Sequence, residues 1–153
     1  MPGPKRYWED FELGRVYPIG STSFTEERVV SFGRDFDPQP FHVDKAAAEA
    51  SMFGGLIASG WHTCAAVMRL LVDNFSHPDT SVGGAGVQDV RWLKPVRPGD
   101  TLTASVTLVE KRESSSRRDI GLIFKEFEVV NQAGELVMTM QGREFIRRRP
   151  AAD

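Results

Sequence analysis

The sequence has a single cysteine, no long apolar run and almost no net charge. Cys64 has no second cysteine with which to form an intramolecular disulfide, which is typical of a reducing compartment. No stretch approaches the roughly 18 apolar residues of a membrane span, and the first residues, MPGPKRYWED, carry no apolar segment typical of a signal peptide. With a formal net charge of −2, the chain offers no general attraction for nucleic acid or membrane. These absences predict a cytoplasmic protein without nucleic-acid or membrane partners.

The composition, 41% hydrophobic and 26% charged over 153 residues, is typical of one folded domain. No repeat or linker divides the chain, so we expect a single domain over 1–153, with flexible tails at 1–10 and 147–153. The second tail begins with the basic cluster Arg147, Arg148 and Arg149. This cluster is either solvated or in weak contact with a phosphate-bearing ligand.

The apolar pattern predicts a strand, short helices, one long helix and then about four strands. Val16–Phe24 is the first strand, and Thr25 and Asp44 are typical N-caps of two short helices. The longest helical pattern starts near Gly60 and repeats apolar residues at spacings of three and four, namely Trp61, Cys64, Ala65, Met68, Leu71, Val72 and Phe75. This broad apolar stripe predicts the core helix of the domain, in which Trp61 belongs either to the core or to a dimer interface.

The second half of the sequence alternates as strands do. Leu102, Ala104, Val106 and Leu108 alternate with Thr and Ser, which predicts a strand with one buried face. Further on, the apolar residues change parity, which predicts a β-bulge near Lys125. One long helix with one antiparallel sheet predicts an α+β domain whose sheet wraps around the helix. The sheet edges and the other sheet face need cover, which favours a homodimer.

The segment DFDPQPFHVD, residues 35–44, combines carboxylates, prolines and a histidine. Pro38 and Pro40 restrict the backbone, so the separation of Asp37 from His42 is largely preset. A carboxylate and an imidazole held together can share acid and base duties near neutral pH. The alternative is a stiff turn in which Asp37 caps the chain and His42 bonds to the backbone, and the spacing alone favours that alternative.

The segment GGLIASG, residues 54–60, leads into the predicted central helix. Ser59 is a candidate N-cap, and Gly60 is the first helical residue. The N–H groups of a first helical turn have no intrahelical partner and lie at the positive end of the helix dipole. They can therefore polarise a carbonyl and stabilise a developing enolate. The alternative is an ordinary glycine-rich loop.

Together the two segments resemble a known family. The run FDPQPFHVDKAAAEASMFGGLIASGWHT is similar to the hydratase motif of the MaoC-like dehydratases and (R)-specific enoyl-CoA hydratases. The run VRWLKPVRPGDTLTASV is similar to a strand–turn–strand segment of the same family. This resemblance, over about 11–145, implies a hotdog fold and the hydration of a 2-enoyl thioester, or the reverse dehydration of a 3-hydroxyacyl thioester.

The resemblance also implies roles for individual residues. Asp37 and His42 match the catalytic pair, Gly60 matches the residue whose N–H forms the oxyanion hole, and Ser59 lies beside it at the substrate. The substrate would be an acyl-CoA or an acyl-carrier thioester, and neither a metal nor a redox cofactor is needed. The implied assembly is a homodimer or a dimer of dimers.

Two positions depart from the family pattern: Gln39 replaces an Asn, and Ser59 replaces a His that often precedes the glycine. These departures leave the identity of the substrate open. Two other functions are alternatives, a hotdog acyl-CoA thioesterase and a non-catalytic module that binds acyl thioesters. Many thioesterases of this fold place an Asp or Glu on or near the central helix, whereas residues 58–68 contain no carboxylate.

Overall fold

A computed structural model describes residues 2–152 as one sheet with four helices. After a 3-10 turn at Trp8–Asp10, the elements are β1 (Val16–Ser23), α1 (Glu26–Phe36), α2 (Pro40–Val43), α3 (Lys45–Ala50), α4 (Gly60–Asn74), β2 (Ser81–Trp92), β3 (Thr101–Glu113), β4 (Ile120–Val130) and β5 (Leu136–Arg147). Within residues 2–152, no helix is both long enough and apolar enough to cross a membrane.

The five strands form one antiparallel sheet in the order β1-β3-β4-β5-β2. The alternation predicted for β3 is confirmed, because Leu102, Ala104, Val106 and Leu108 are all buried. α4 packs on this apolar face through its buried side chains, and the Asn74 amide near its end donates to the Ile19 carbonyl of β1. The predicted α+β architecture, a sheet wrapped around one long helix, is thus confirmed.

The predicted helix starts are also confirmed. Thr25 Oγ1 accepts a hydrogen bond from the N–H of Arg28 in the first turn of α1. Asp44 Oδ1 does the same for the N–H of Ala47 in α3. Each cap satisfies a backbone donor that has no partner inside its helix.

Only part of the apolar stripe of α4 is buried within the chain. Leu71 and Phe75 are buried, but Trp61, Met68 and Val72 are 59%, 47% and 49% exposed. The spacing of apolar residues shows that a helix face is apolar, but it does not show what covers that face. α4 uses one apolar face for its own sheet, through residues such as Val67, and leaves a second apolar face open.

The bulge predicted near Lys125 is present, but it lies on the neighbouring strand β3, opposite Lys125. The irregularity in the β3–β4 pairing lies on β3, between Leu108 and Glu110. On β4 the inward positions continue without a break, because Lys125 itself faces the interior and its ammonium pairs with the Glu144 carboxylate at 2.5 Å. The sequence shows a change of parity because a lysine occupies the buried position 125, while the apolar Leu122 and Phe124 lie at the less buried positions of the strand.

The segments predicted as tails are packed in their described parts. Trp8 packs against the core and donates through Nε1 to the Leu122 carbonyl. Arg148 and Arg149 form ion pairs with Glu9 and Asp10 of the 3-10 turn. The basic cluster therefore joins the two ends of the chain, while residues 1 and 153 lie outside the described range.

Candidate active site

The end of α1 and the whole of α2 bring Asp37 and His42 together. Asp37 is the C-cap of α1, where its N–H donates to the Gly33 carbonyl. Pro40 is the first residue of α2, a position whose N–H has no partner inside the helix, so proline loses no hydrogen bond there. Gly33 allows α2 to approach α1 closely, since a Cβ there would lie 2.9 Å from Val43 and 3.0 Å from the Cβ of His42. The sequence thus positions His42 by a close helix contact as well as by the two prolines.

His42 is buried, and both of its ring nitrogens have partners. Nδ1 lies 2.7 Å from the Ile57 carbonyl, and Nε2 lies 3.2 Å from Asp37 Oδ2. A carbonyl only accepts, so Nδ1 carries a hydrogen and donates to it. Nε2 is therefore the nitrogen that gains and loses a proton, and it faces the carboxylate.

The Asp37 carboxylate receives several hydrogen bonds. Gln39 Nε2 donates to Oδ1 at 2.7 Å, and the Ser59 hydroxyl donates to Oδ2 at 2.7 Å. Burial raises the pKa of Asp37, but the hydrogen bonds from Gln39 and Ser59 and the nearby His42 outweigh it, so the pKa lies below its usual 3.8. Asp37 is therefore ionised throughout the neutral range.

The two segments singled out in the sequence are joined by hydrogen bonds in the fold. Ser59 caps α4, with its Oγ accepting from the N–H of Trp61, while its own hydroxyl hydrogen goes to Asp37. Ile57 bonds to α2 through both backbone groups, since its N–H donates to the Phe41 carbonyl and its C=O accepts from His42. The pair and the start of α4 therefore form one hydrogen-bonded unit.

Gly60 begins α4 beside this unit, and its N–H makes no hydrogen bond to any residue within 2–152. The Trp92 ring covers it so closely that a Cβ on Gly60 would lie 2.2 Å from a ring atom. A cavity of about 270 Å³ opens here, with Ile57, Gly60, Thr63 and Trp92 among its lining residues. A carbonyl oxygen in this cavity would have a backbone donor at the positive end of a helix dipole.

All four residues named from the sequence lie in this region. Asp37, His42 and Ser59 are in direct contact, and Gly60 follows Ser59. Sequence reasoning missed the Ile57 carbonyl, because the composition of a segment does not identify a backbone acceptor. It also missed Trp92 as the cover of Gly60, because those residues are distant in the chain and no local signal pairs them.

A larger cavity of about 750 Å³ lies at the other end of α4. Its walls include Met68, Leu71, Val87 and Met140, and its polar lining includes the Lys125–Glu144 ion pair. It is mostly apolar and within the size range of small-molecule sites.

Known proteins resemble this chain in sequence and in fold. A Bacillus subtilis (strain 168) protein named YdeM is 29% identical over 124 residues, covering 81% of this chain and 86% of its own. An (R)-specific enoyl-CoA hydratase from Rhodospirillum rubrum is 28% identical over 106 residues, covering 67% of this chain and 69% of its own. The crystal structure of a MaoC-like dehydratase, also from Rhodospirillum rubrum, superposes with a TM-score of 0.88 at 36% identity and covers 96% of this chain and 100% of that one.

These similarities agree with the architecture described above, which is a hotdog fold. The family model described as the MaoC-like domain matches residues 12–122, which include Asp37, His42, Ser59 and Gly60. The chain therefore belongs to the MaoC-like dehydratase family.

Proposed function

We propose that this protein is a hydro-lyase that adds water to a 2-enoyl thioester, or removes it from a 3-hydroxyacyl thioester, with acyl-CoA as the thioester. The observation that carries this proposal is the contact of Asp37 with His42 next to the Gly60 N–H, for which residues 2–152 offer no acceptor. It supplies a base, an acid and an oxyanion donor in one place. The similarity to an (R)-specific enoyl-CoA hydratase supports the same reaction.

In the proposed hydration, the thioester oxygen accepts a hydrogen bond from the Gly60 N–H, and the water lies beside the Asp37–His42 pair, within reach of both side chains. Asp37 takes a proton from the water as its oxygen bonds to C3, and electron density moves to the thioester oxygen. His42 Nε2 then gives its proton to C2. The proton on Asp37 passes to Nε2 across their 3.2 Å contact, which restores the starting state. Both groups act from one side of the double bond, so the addition is syn.

We propose a homodimer as the working assembly. β2 is an edge strand, and Trp61, Met68 and Val72 on α4 lie exposed near the exposed Val87 and Trp92 of β2. A second copy paired antiparallel along β2 would extend the sheet and cover these side chains. The two-fold axis of such a pairing also runs the two α4 helices antiparallel, so the larger cavity of one copy lies toward the Gly60 of the other. That cavity would then hold the acyl group.

The function is tested with crotonyl-CoA and butyryl-CoA. A hydro-lyase removes the enoyl absorbance of crotonyl-CoA without releasing free thiol, and it leaves butyryl-CoA intact. Release of thiol from either compound would indicate a thioesterase instead, and binding without turnover would indicate a binding module.

The assembly is tested by sedimentation of the wild type and of Met68→Asp. We expect a dimer for the wild type and a monomer for the variant, because the new charge would be buried in the interface. A monomeric wild type would contradict the proposed assembly.

A further inference from the structure

Both positions that depart from the family pattern bond to the same carboxylate. Gln39 donates to Oδ1 of Asp37 and Ser59 donates to Oδ2, each at 2.7 Å. We propose that Gln39 and Ser59 are positioning residues that together hold both oxygens of Asp37, and that Ser59 also ties this carboxylate to the start of α4. We call these two residues the carboxylate clamp. Its catalytic meaning rests on the proposed hydro-lyase function.

The hydroxyl of Ser59 has no hydrogen left for a substrate. A serine hydroxyl has one hydrogen, and this one goes to Asp37, while the oxygen accepts the N–H of Trp61. Ser59 is also 1% exposed. It therefore acts through Asp37 and not on the thioester, and it fixes the carboxylate with respect to the adjacent Gly60 N–H.

Gln39 contacts Asp37 twice. Its backbone N–H donates to the Asp37 carbonyl at 2.8 Å, and its side-chain amide returns to the carboxylate of the same residue. The amide belongs to an exposed residue, so its removal leaves no cavity in the core. A substitution of Gln39 should therefore change the hydrogen bond to Asp37 with little effect on packing.

The clamp orients the carboxylate and favours its ionised form. Oδ2 accepts from the Ser59 hydroxyl and faces His42 Nε2, so these two neighbours fix the orientation of the carboxylate. Hydrogen bonds to a carboxylate stabilise the charged form, which agrees with the lowered pKa of Asp37. Loss of either donor should therefore raise the pKa of Asp37.

The other charged groups around Asp37 do not replace the clamp. His42 on α2 is the titratable group in contact with it, and the segment before α4 contributes the uncharged Ser59. Arg34 and Asp35 in the last turn of α1 make no hydrogen bond or ion pair with Asp37 in the described structure. His62 in the first turn of α4 stacks on Phe32 instead.

The clamp is tested by carbon-13 NMR titration of the Asp37 carboxyl in aspartate-labelled protein, with Asp37→Asn to assign the signal. Ser59→Ala and Gln39→Ala should each move the titration midpoint to higher pH, and Ser59→Thr, which keeps the hydroxyl, should restore it. Thr25→Ala removes the N-cap of α1 without touching Asp37, so it controls for cap loss. An Asp37 midpoint unchanged in Ser59→Ala and Gln39→Ala would overturn the clamp.

The hydration of crotonyl-CoA by the same variants provides a second test, through kcat/KM and its pH profile. Ser59→Ala should lower kcat/KM about 10- to 100-fold, which is the usual effect of losing a hydrogen bond to a charged group. It should also move the acid limb of the pH profile to higher pH, because the pKa of Asp37 rises. A raised KM with an unmoved acid limb would instead place Ser59 at the substrate and overturn the clamp. An inactive wild type would contradict the proposed function, while the NMR midpoints would still decide the clamp.

Discussion

Gly60→Ala tests the close approach of Trp92 to the start of α4. A Cβ at position 60 would lie 2.2, 2.4 and 2.7 Å from three atoms of the Trp92 ring. The ring would have to retreat by roughly 1 Å to reach ordinary van der Waals contact. Because the ring packs edge-on to Trp61, with centroids 5.4 Å apart, that movement would also disturb the first turn of α4.

Two opposing effects set the sign of the stability change. Helix propensity alone would make alanine more stable than glycine by up to about 1 kcal/mol. Overpacking of a filled site costs about 1–3 kcal/mol, so we expect net destabilisation. Displacement of the Gly60 N–H should also lower kcat by about 100- to 1000-fold, the usual effect of losing an oxyanion donor.

Urea unfolding and crotonyl-CoA kinetics measure the two consequences. Gly55→Ala is the control, since its Cβ would meet only the tip of the Arg97 side chain, at 3.4 Å. In the background of Trp92→Ala, the stability cost of Gly60→Ala should largely disappear, as a double-mutant cycle would show. A Gly60→Ala variant with wild-type stability and turnover would refute both the packing argument and the oxyanion role.

Two further predictions concern the buried Lys125 and the half-buried His62. Lys125→Met should lower the unfolding free energy by about 3–5 kcal/mol, because it leaves the Glu144 carboxylate buried without its cation. The double variant Lys125→Met/Glu144→Leu should recover most of that loss, because it removes the buried charge as well. Urea unfolding of the single and double variants measures both effects. A Lys125→Met variant as stable as the wild type would contradict the burial of this ion pair. Burial and, to a smaller extent, Arg28 lower the pKa of His62 from 6.5 to about 4. Between pH 4 and 6.5 the unfolded chain binds a proton at His62 that the folded chain does not, so the unfolding free energy of the wild type should fall as the pH drops through this range. His62→Phe should lose less unfolding free energy over the same range. An equal loss in both proteins would contradict the lowered pKa.

The fold could be predicted wherever one side of an element faces the core. The alternation of Leu102 to Leu108 and the caps at Thr25 and Asp44 are local signals, and each agrees with the structure. The exposed face of α4 was not predictable from periodicity, because an apolar pattern does not say whether the chain's own sheet covers that face. Lys125 was misread because its partner Glu144 lies on a different strand.

The candidate site was predictable in part. The spacing of Asp37 and His42 alone favoured a turn, and only the resemblance to the MaoC-like family linked the pair to Gly60. The contact between Gln39 and Asp37 follows from side-chain direction at the end of α1, which residue types do not specify. The hydrogen bond from Ser59 to the same carboxylate depends on how the start of α4 lies against the end of α1, so it required the folded chain.

The most direct test of the proposed reaction is the kcat/KM for crotonyl-CoA hydration by the wild type and by Asp37→Asn at neutral pH. Asp37→Asn keeps the size of the side chain but removes the charge that accepts the proton from water. The proposed mechanism predicts a wild-type enzyme that forms 3-hydroxybutyryl-CoA and a folded variant whose kcat/KM is lower by at least about 100-fold, the lower end of general-base catalysis. Equal rates for the two proteins would contradict the role of Asp37 as the base.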